Sequence, residues 1–348
     1  MTRPLPLRVV SLASLALVAP LACSGGGGGA GSSGEVVIYC SLDQVYSEPI
    51  LRDFEKETGI RVRANYDLEA QKTVGLVNRI LAERQNPQCD VYWNNEAMLT
   101  LLLEEKGALE PYVSKNAESI PAEFKDPGGL WTGLAARARV LLVNTGKMPV
   151  EKAPKSIRDV LRAEYRGDFA IARPLFGTTL THASALFAAW GDESASKFFE
   201  VLKKNGAVVC EGNAQVMRIV AAGDVACGLT DTDDANVAKS EGKPVEIVYL
   251  DQEPGGLGTL VIPNTVMLLK DAPNLENGRK LVDYILSPGV EEKLAMSRSV
   301  QMPLHPDVPV PASVKTVAEI LPMKIDWKAA ARKKEKAVEV LTELFLGN

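Results

Sequence analysis

Glu35-Val-Val-Ile-Tyr-Cys40, then Ile50-Leu-Arg-Asp-Phe54, Gly59 and Ile60-Arg-Val-Arg-Ala-Asn-Tyr66, make up the passage on which the reading of the fold turns. A short apolar run is followed by a segment with helically spaced apolar side chains, a glycine stops that segment, and a second short run follows. This is a strand-helix-strand unit. The pattern continues outward. Residues 71–84 place Val74, Val77, Ile80 and Leu81 on one helical face, Asp90-Val-Tyr-Trp93 opens a third strand, and 97–105 is a further helix. Alternation of this kind predicts a parallel sheet with helices on both faces.

A second series begins at Arg139-Val-Leu-Leu-Val-Asn144. It runs through strands at 168–172, 207–210 and 225–229, and helices at 178–190, 194–204 and 213–222. Leu260 to Leu269 returns as a strand, followed by helices at 274–286 and 289–296, a Pro-rich stretch from Pro303 to Pro311, and a C-terminal helix at 327–345. Two α/β units, with chain returning to the first, predict two discontinuous lobes around a cleft. Residues 35–137 with 262–312 form one lobe, and 138–261 with 313–348 the other. In such sheets ligands sit beyond the carboxyl ends of the strands, so both lobes aim loops at the cleft.

The N-terminal segment addresses the compartment. Arg3 and Arg8 precede an apolar run from Val9 to Val18, which has the length of an export signal's core and is too short for a spanning helix. Pro20-Leu21-Ala22-Cys23 resembles a lipoprotein processing site, so residues 1–23 read as a signal peptide with its lipidation site at Cys23. Residues 24–34, almost all Gly and Ser, read as a flexible tether. The chain is therefore expected to be extracytoplasmic and membrane-anchored.

Composition narrows the function. A net charge of -5, with Lys and Arg dispersed among Asp and Glu, leaves no basic footprint for a phosphate backbone, so nucleic acid is not an expected partner. The two histidines, His182 and His305, do not share a metal-binding spacing. Gly191-Asp-Glu-Ser-Ala195 lacks the second glycine of a nucleophile elbow, and no nucleotide-binding loop is present. The reading is a binding protein rather than an enzyme, without a catalytic cofactor. His182 is expected on a helix face near the hinge, and His305, between prolines, at the surface. Of the cysteines left after Cys23, Cys210 and Cys227 each sit near the end of a short predicted strand and are a possible disulfide, whereas Cys40 and Cys89 are expected to stay thiols.

Several stretches together resemble the ferric-ion-binding branch of the periplasmic solute-binding proteins of ABC transporters. They are Val-Val-Ile-Tyr-Cys-Ser41, Ile-Leu-Arg-Asp-Phe-Glu-Lys-Glu-Thr-Gly59, Cys-Asp90-Val-Tyr-Trp-Asn-Asn-Glu96 and Ala-Arg137-Ala-Arg139-Val-Leu-Leu-Val-Asn-Thr145. Later come Phe-Gly177-Thr-Thr179, Glu-Gly-Asn213-Ala-Gln-Val, Ala-Ala-Gly223-Asp-Val and Gly-Leu-Thr-Asp231-Thr-Asp-Asp234. The resemblance implies a two-lobed type II periplasmic binding protein fold, a monomer, and partnership with a membrane permease and its ATPase. It also implies a ferric or other hard metal ion held between the lobes, with phosphate or carbonate as accompanying anion.

Carried over residue by residue, the resemblance departs from its family at the metal. The paired-tyrosine position reads Asp233-Asp234, the histidine position reads Asp43, and the carboxylate position falls on Asn95 or, with a one-residue slip, on Glu96. Anionic oxygens still suit a hard ion. On the anion side, Gly177, Thr178 and Thr179 open a helix, where free amides attract an anion. Asn213 and Asp231 match further positions, and Arg137 and Arg139 lie on the strand entering the second lobe. Ser41 joins the candidate lining. Tyr46, Trp93 and Asn94 are expected in loops at the opening. The blander reading of Gly-Thr-Thr and of the aspartates is helix capping, the latter for a helix from Ala235 to Glu241. The same acidic group also suits the ammonium of a small zwitterion such as an aminoalkylphosphonate.

Overall fold

The computed structural model describes residues 34–66, 73–312 and 314–347; the expected signal peptide, Cys23 and residues 24–33 of the tether lie outside these. Strand β1 (Glu35–Cys40) is buried from Val36 onward. Helix α1 (Gln44–Thr58) turns Ile50, Leu51 and Phe54 inward and ends at Gly59, whose φ of 71° only glycine adopts without strain. Strand β2 (Arg61–Tyr66) then lies parallel to β1, Glu35 opposite Arg61. Helix α2 (Val74–Ala82) leads to β3 (Val91–Asn94), parallel to β1 on its other side, and α3 (Met98–Glu105) and the short β4 (Leu109–Glu110) follow. Trp93 and Asn94 lie in β3 with no exposure and Tyr46 lies in α1, so none of the three is in a loop as expected; the strand takes in Trp93 and runs one residue past it.

The sequence reading began the second series at Arg139. The strand begins earlier: β5 spans Thr132–Asn144, thirteen residues and all buried. Its alanines and glycine carry little β-propensity, which is why the first half was not legible. The second half of the fold adds β6 (Phe169–Ala172), α4 (Gly177–Trp190), α5 (Asp192–Lys204), β7 (Val208–Cys210), α6 (Asn213–Ala222), β8 (Cys227–Asp231), α7 (Thr232–Ser240) and β9 (Val245–Val248). The chain returns through β10 (Val261–Leu269), α8 (Leu275–Ile285) and α9 (Pro288–Ala295), and α10 (Trp327–Leu346) closes it.

The strands run in the order β2-β1-β3-β10-β5-β8-β6-β7, with β4 on β10 and β9 on β5. Parallel pairing holds within β2-β1-β3 and β8-β6-β7, but β10 is antiparallel to β3 and β5, and β5 to β8, so the sheet is mixed rather than parallel. Strand β5 joins the two lobes. Up to Ala138 it pairs with β10, and from Arg139, opposite Asp231, it pairs with β8. The crossing is irregular: a register shift falls between Ile262 and Asn264, and Ala135 has a φ of 39°. Buried Glu291 of α9 holds this bend, accepting hydrogen bonds from the Ala135 amide at 2.6 Å, from the Leu304 and His305 amides, and from the His305 ring at 2.7 Å. His305 is therefore buried, not on the surface as expected, because its ring pairs with the buried Glu291 carboxylate.

Helix α10 packs Trp327 and Ala330 into the apolar cluster of the first lobe and Ala337 and Leu341 into that of the second. All four described cysteines are free thiols. The possible Cys210–Cys227 disulfide is excluded by topology. Strand β6 lies between their strands, with Cys210 opposite Ala172 and Cys227 opposite Phe169, so two strand spacings and three residues separate thiols that need Cα atoms within about 7 Å. No described helix is long and apolar enough to cross a membrane.

Candidate functional site

The carboxyl ends of β1, β3, β6, β7 and β8 open on one cavity of about 1000 Å³ between the lobes. Asp43, Asn95, Glu96, Arg137, Gly177, Thr178, Asn213, Asp231, Asp233 and Asp234, ten of the residues singled out from sequence, line it. Ser41, Thr179 and Arg139 lie behind that lining. Ser41 Oγ meets Tyr92 OH at 2.9 Å inside the first lobe, and Thr179 Oγ1 reaches Asn213 Oδ1 at 3.4 Å.

The second-lobe floor is a polar network built on one nitrogen of Arg139, whose Nε and Nη2 are buried without a hydrogen-bond partner. Arg139, with a wholly buried side chain, donates from Nη1 to Asp231 Oδ1 at 2.6 Å, to Asn213 Oδ1 at 3.0 Å and to Thr178 Oγ1 at 3.3 Å. The other oxygen of Asp231 accepts from Thr178 Oγ1 at 2.6 Å and from Asn213 Nδ2 at 2.8 Å. Three helices start around this floor. Helices α4, α6 and α7 begin at Gly177, Asn213 and Thr232, and none has a side-chain cap. Their unsatisfied amides make this end electropositive, and the φ of 57° at Gly177 explains the glycine there.

Aspartates oppose that potential. Asp231, Asp233 and Asp234 each present an oxygen such that the three lie within 4.8 Å of one another. Helix α7 starts at Thr232, earlier than predicted, so Asp233 and Asp234 sit in its first turn, where a negative charge is favoured. Capping does not account for Asp231, which stands at the cap position yet turns its carboxylate to Arg139. Arg137, two residues before Arg139 and on the same face of β5, places Nε 3.3 Å from Asp233 Oδ2. Burial raises the Asp233 carboxyl above the usual carboxylate range. Burial, reinforced by Asp233 and Asp231, raises that of Asp234 well above it. His182, buried on α4, goes the other way: burial and the charge of Arg139 hold it neutral, down to about 3.

The first-lobe face is milder. Asn95 accepts from Thr73 Oγ1 at 2.8 Å, and its carbonyl accepts from Arg137 Nη1 at 3.1 Å. Of the two residues that sequence left open, Glu96 spends its oxygens on the start of α3, accepting from the Met98 and Leu99 amides at 2.6 and 2.8 Å, while Asn95 faces the cavity without that duty. Burial raises the Glu96 carboxyl. Tyr46 lies near enough to Asp43 and Asp233 for their charges, after burial, to raise its phenol. Thr73, Asn78, Phe176 and Glu211 line the cavity and were not singled out from sequence. Glu211 and Phe176 are the first residues of two quoted motifs, so their sequence signal was present, whereas Thr73 and Asn78 look like ordinary positions of a helix and its start.

The family described as bacterial extracellular solute-binding protein matches residues 95–327. "Iron uptake protein A1" of Synechocystis is 27% identical over 314 residues, covering 86% of this chain and 83% of that protein. Among solved structures, the apo ferric ion-binding protein A of Pasteurella haemolytica superposes with a TM-score of 0.80 at 23% identity, covering 90% of this chain and 98% of that one. The periplasmic binding protein AfuA of Actinobacillus pleuropneumoniae, solved with exogenous fructose-6-phosphate bound, superposes with a TM-score of 0.75 at 24% identity, covering 90% and 98%.

Proposed function

The chain belongs to the bacterial extracellular solute-binding protein family, and from that membership we propose that it captures a solute in the interlobe cleft for the permease and ATPase of an ABC-type importer. It binds and releases its solute unchanged. The solute assigned first is a ferric ion or another hard metal cation, held by Asp233 and Asp234 of the second lobe with Asp43 approaching from the first. The observation that carries this is the convergence of Asp231, Asp233 and Asp234 to within 4.8 Å on a cavity shared by both lobes. Hard cations take anionic oxygen ligands. A solute that touches both lobes favours the closed arrangement by binding it better than the open one.

A second reading rests on a different observation. Helices α4 and α6 present uncapped starts to the cavity, and Arg137, ion-paired with Asp233 at 3.3 Å, lines it. A zwitterion such as an aminoalkylphosphonate would place its anionic group there and its ammonium on the aspartates. Native mass spectrometry with elemental analysis of the purified protein decides between them. Stoichiometric metal is expected, and an organic adduct without metal overturns the first reading in favour of the second. We extend the proposal to Cys23 as a lipid anchor and the following Gly/Ser run as tether. Cys23→Ser is expected to move the protein from the membrane fraction to the soluble one, and unchanged fractionation refutes the anchor.

A further inference from the structure

His305 has a partner at each ring nitrogen, and both partners can only accept. Nδ1 lies 2.7 Å from Glu291 Oε2, and Nε2 lies 2.8 Å from the Asn116 carbonyl oxygen. The two Glu291 oxygens also take the amides of Ala135, Leu304 and His305, a set of donors that only an ionised carboxylate accepts. A neutral imidazole carries one N–H and would set a nitrogen lone pair against one of these oxygens, whereas the imidazolium satisfies both. We propose that His305 is a charged positioning residue of the solute cleft: from outside the cavity, its imidazolium holds Glu291 on the bend of β5 and so keeps the interlobe crossing, with Arg137, in one arrangement. The proposal rests on the reading that a solute in the cleft touches both lobes, and names a residue whose charge tunes that capture.

The bend needs holding. Ala135 has a φ of 39°, in the left-handed region where an alanine stays only when its surroundings fix it, and Glu291 Oε1 takes its amide at 2.6 Å. One residue on, Ala136 and Met302 exchange both backbone hydrogen bonds at 2.7 Å, and Gln301 Oε1 accepts from Asn264 Nδ2 at 2.8 Å. Asn264 Oδ1 in turn accepts from Arg137 Nη2 at 3.3 Å, and Arg137 lines the cavity beside Asp233. Residues 301–305 thus clamp β5 just before it changes partner from β10 to β8. The His305 side chain is 4% exposed and that of Glu291 not at all, so the pair is shielded from water. Around the ring, Lys125 opposes its charge, with Nζ 2.8 Å from the Ala117 carbonyl. Asp283 of α8 accepts from the Tyr112 and Ser114 hydroxyls, and its own carbonyl takes the Asn116 side-chain amide at 2.7 Å. Burial works against the protonated ring, but the hydrogen bonds to Glu291 and Asn116 outweigh it and raise His305 above the ordinary histidine value. Its contribution to stability is therefore full below that ordinary value and is lost as pH rises through the raised one. Neutralising the ring strands the Glu291 charge inside. A crossing loosened in this way must be ordered again when a solute draws the lobes together, which lowers affinity for any solute that bridges them.

The test uses the full protein with gallium(III) as probe, and every comparison is made at one neutral pH so that the aspartates and the ion keep the same state. In wild type, nitrogen NMR of histidine-labelled protein is expected to show both ring nitrogens of His305 protonated and His182, identified by its persistence in His305→Gln, neutral. A neutral His305 ring overturns the proposal whatever the variants do. His305→Gln removes the charge and His305→Lys keeps it. Amides of residues 132–138 are expected to exchange about tenfold faster in His305→Gln, with those of β8 unchanged, and His305→Lys is expected to restore the wild-type rates. Calorimetry is expected to show gallium affinity about tenfold lower in His305→Gln and within about threefold of wild type in His305→Lys. Equal losses in both variants overturn the role of the charge, and faster exchange with unchanged gallium affinity overturns the positioning role. Gallium bound by none of the three proteins overturns the cation reading alone, and the ring and exchange measurements then decide this proposal.

Discussion

The two faces of the cleft are built on different principles. On the second-lobe face the side chains are locked to one another: Arg139, Asp231, Thr178 and Asn213 share a network of hydrogen bonds, and three helices begin at its edge. On the first-lobe face the described contributors are amides and hydroxyls such as Asn95 and Thr73, the exposed Asp43, and the buried carboxylate of Glu96, which is committed to α3. A face whose groups are already positioned spends little entropy on a ligand, whereas the softer face can adjust as it closes. Under the proposed function, the second lobe is then the receptor and the first the cover.

That contrast can be broken by mutation. Asp233→Ala with Asp234→Ala is expected to abolish cation-induced thermal stabilisation, a loss of at least about 100-fold in affinity; a retained shift in melting temperature would remove the aspartates from the site. Asp43→Ala, on the cover, is expected to cost only about tenfold by calorimetry, since closure loses one contact and the receptor face stays whole. An equal loss from both faces would refute the asymmetry. Arg139→Met strands the carboxylate of Asp231 inside and is expected to destabilise the unliganded fold by about 3 kcal/mol in urea titrations, whereas Asn95→Ala on the opposite face is expected to stay within about 1 kcal/mol.

Acidity sharpens the same comparison. The Asp234 carboxyl is raised in the folded protein, so its contribution to stability is full below its ordinary value of 3.8 and is lost as pH rises through the raised one. Wild type should therefore lose its advantage over Asp234→Asn as pH increases toward neutrality. Cation affinity should move the opposite way, rising up to about tenfold per pH unit per proton displaced. His182, held down at about 3 from 6.5, contributes stability above 6.5 that is lost as pH falls toward 3, so the Asp234 effect is read from the difference between the two proteins and not from either melting curve alone.

Local pattern made the parallel units around β1 and β6 legible, because a strand, a helix and a stopping glycine announce themselves within a few residues. The first half of β5 escaped notice because Thr132-Gly-Leu-Ala-Ala-Arg-Ala138 is held as a strand by β10 and Glu291, partners more than a hundred residues away. The same distance problem misdirected the cysteines, since nothing near Cys210 or Cys227 says that β6 runs between them. At the site, sequence placed Asp231, Asp233 and Asp234 at one strand end but could not tell their directions. Only the register between β5 and β8 sets Asp231 against Arg139 and leaves its neighbours to the cavity.

Strand β5 changes partners between Ala138 and Arg139, so its two arginines fall on either side of the transition: Arg137 in the part paired with β10, Arg139 in the part paired with β8. The axle about which the lobes would swing is thus also the element that carries the positive charges of the cleft. Any twist at that point changes the angle between two guanidiniums already gripping Asp233 and Asp231. If a charged solute binds as proposed, its charge and the lobe angle share one mechanical coordinate at this pivot.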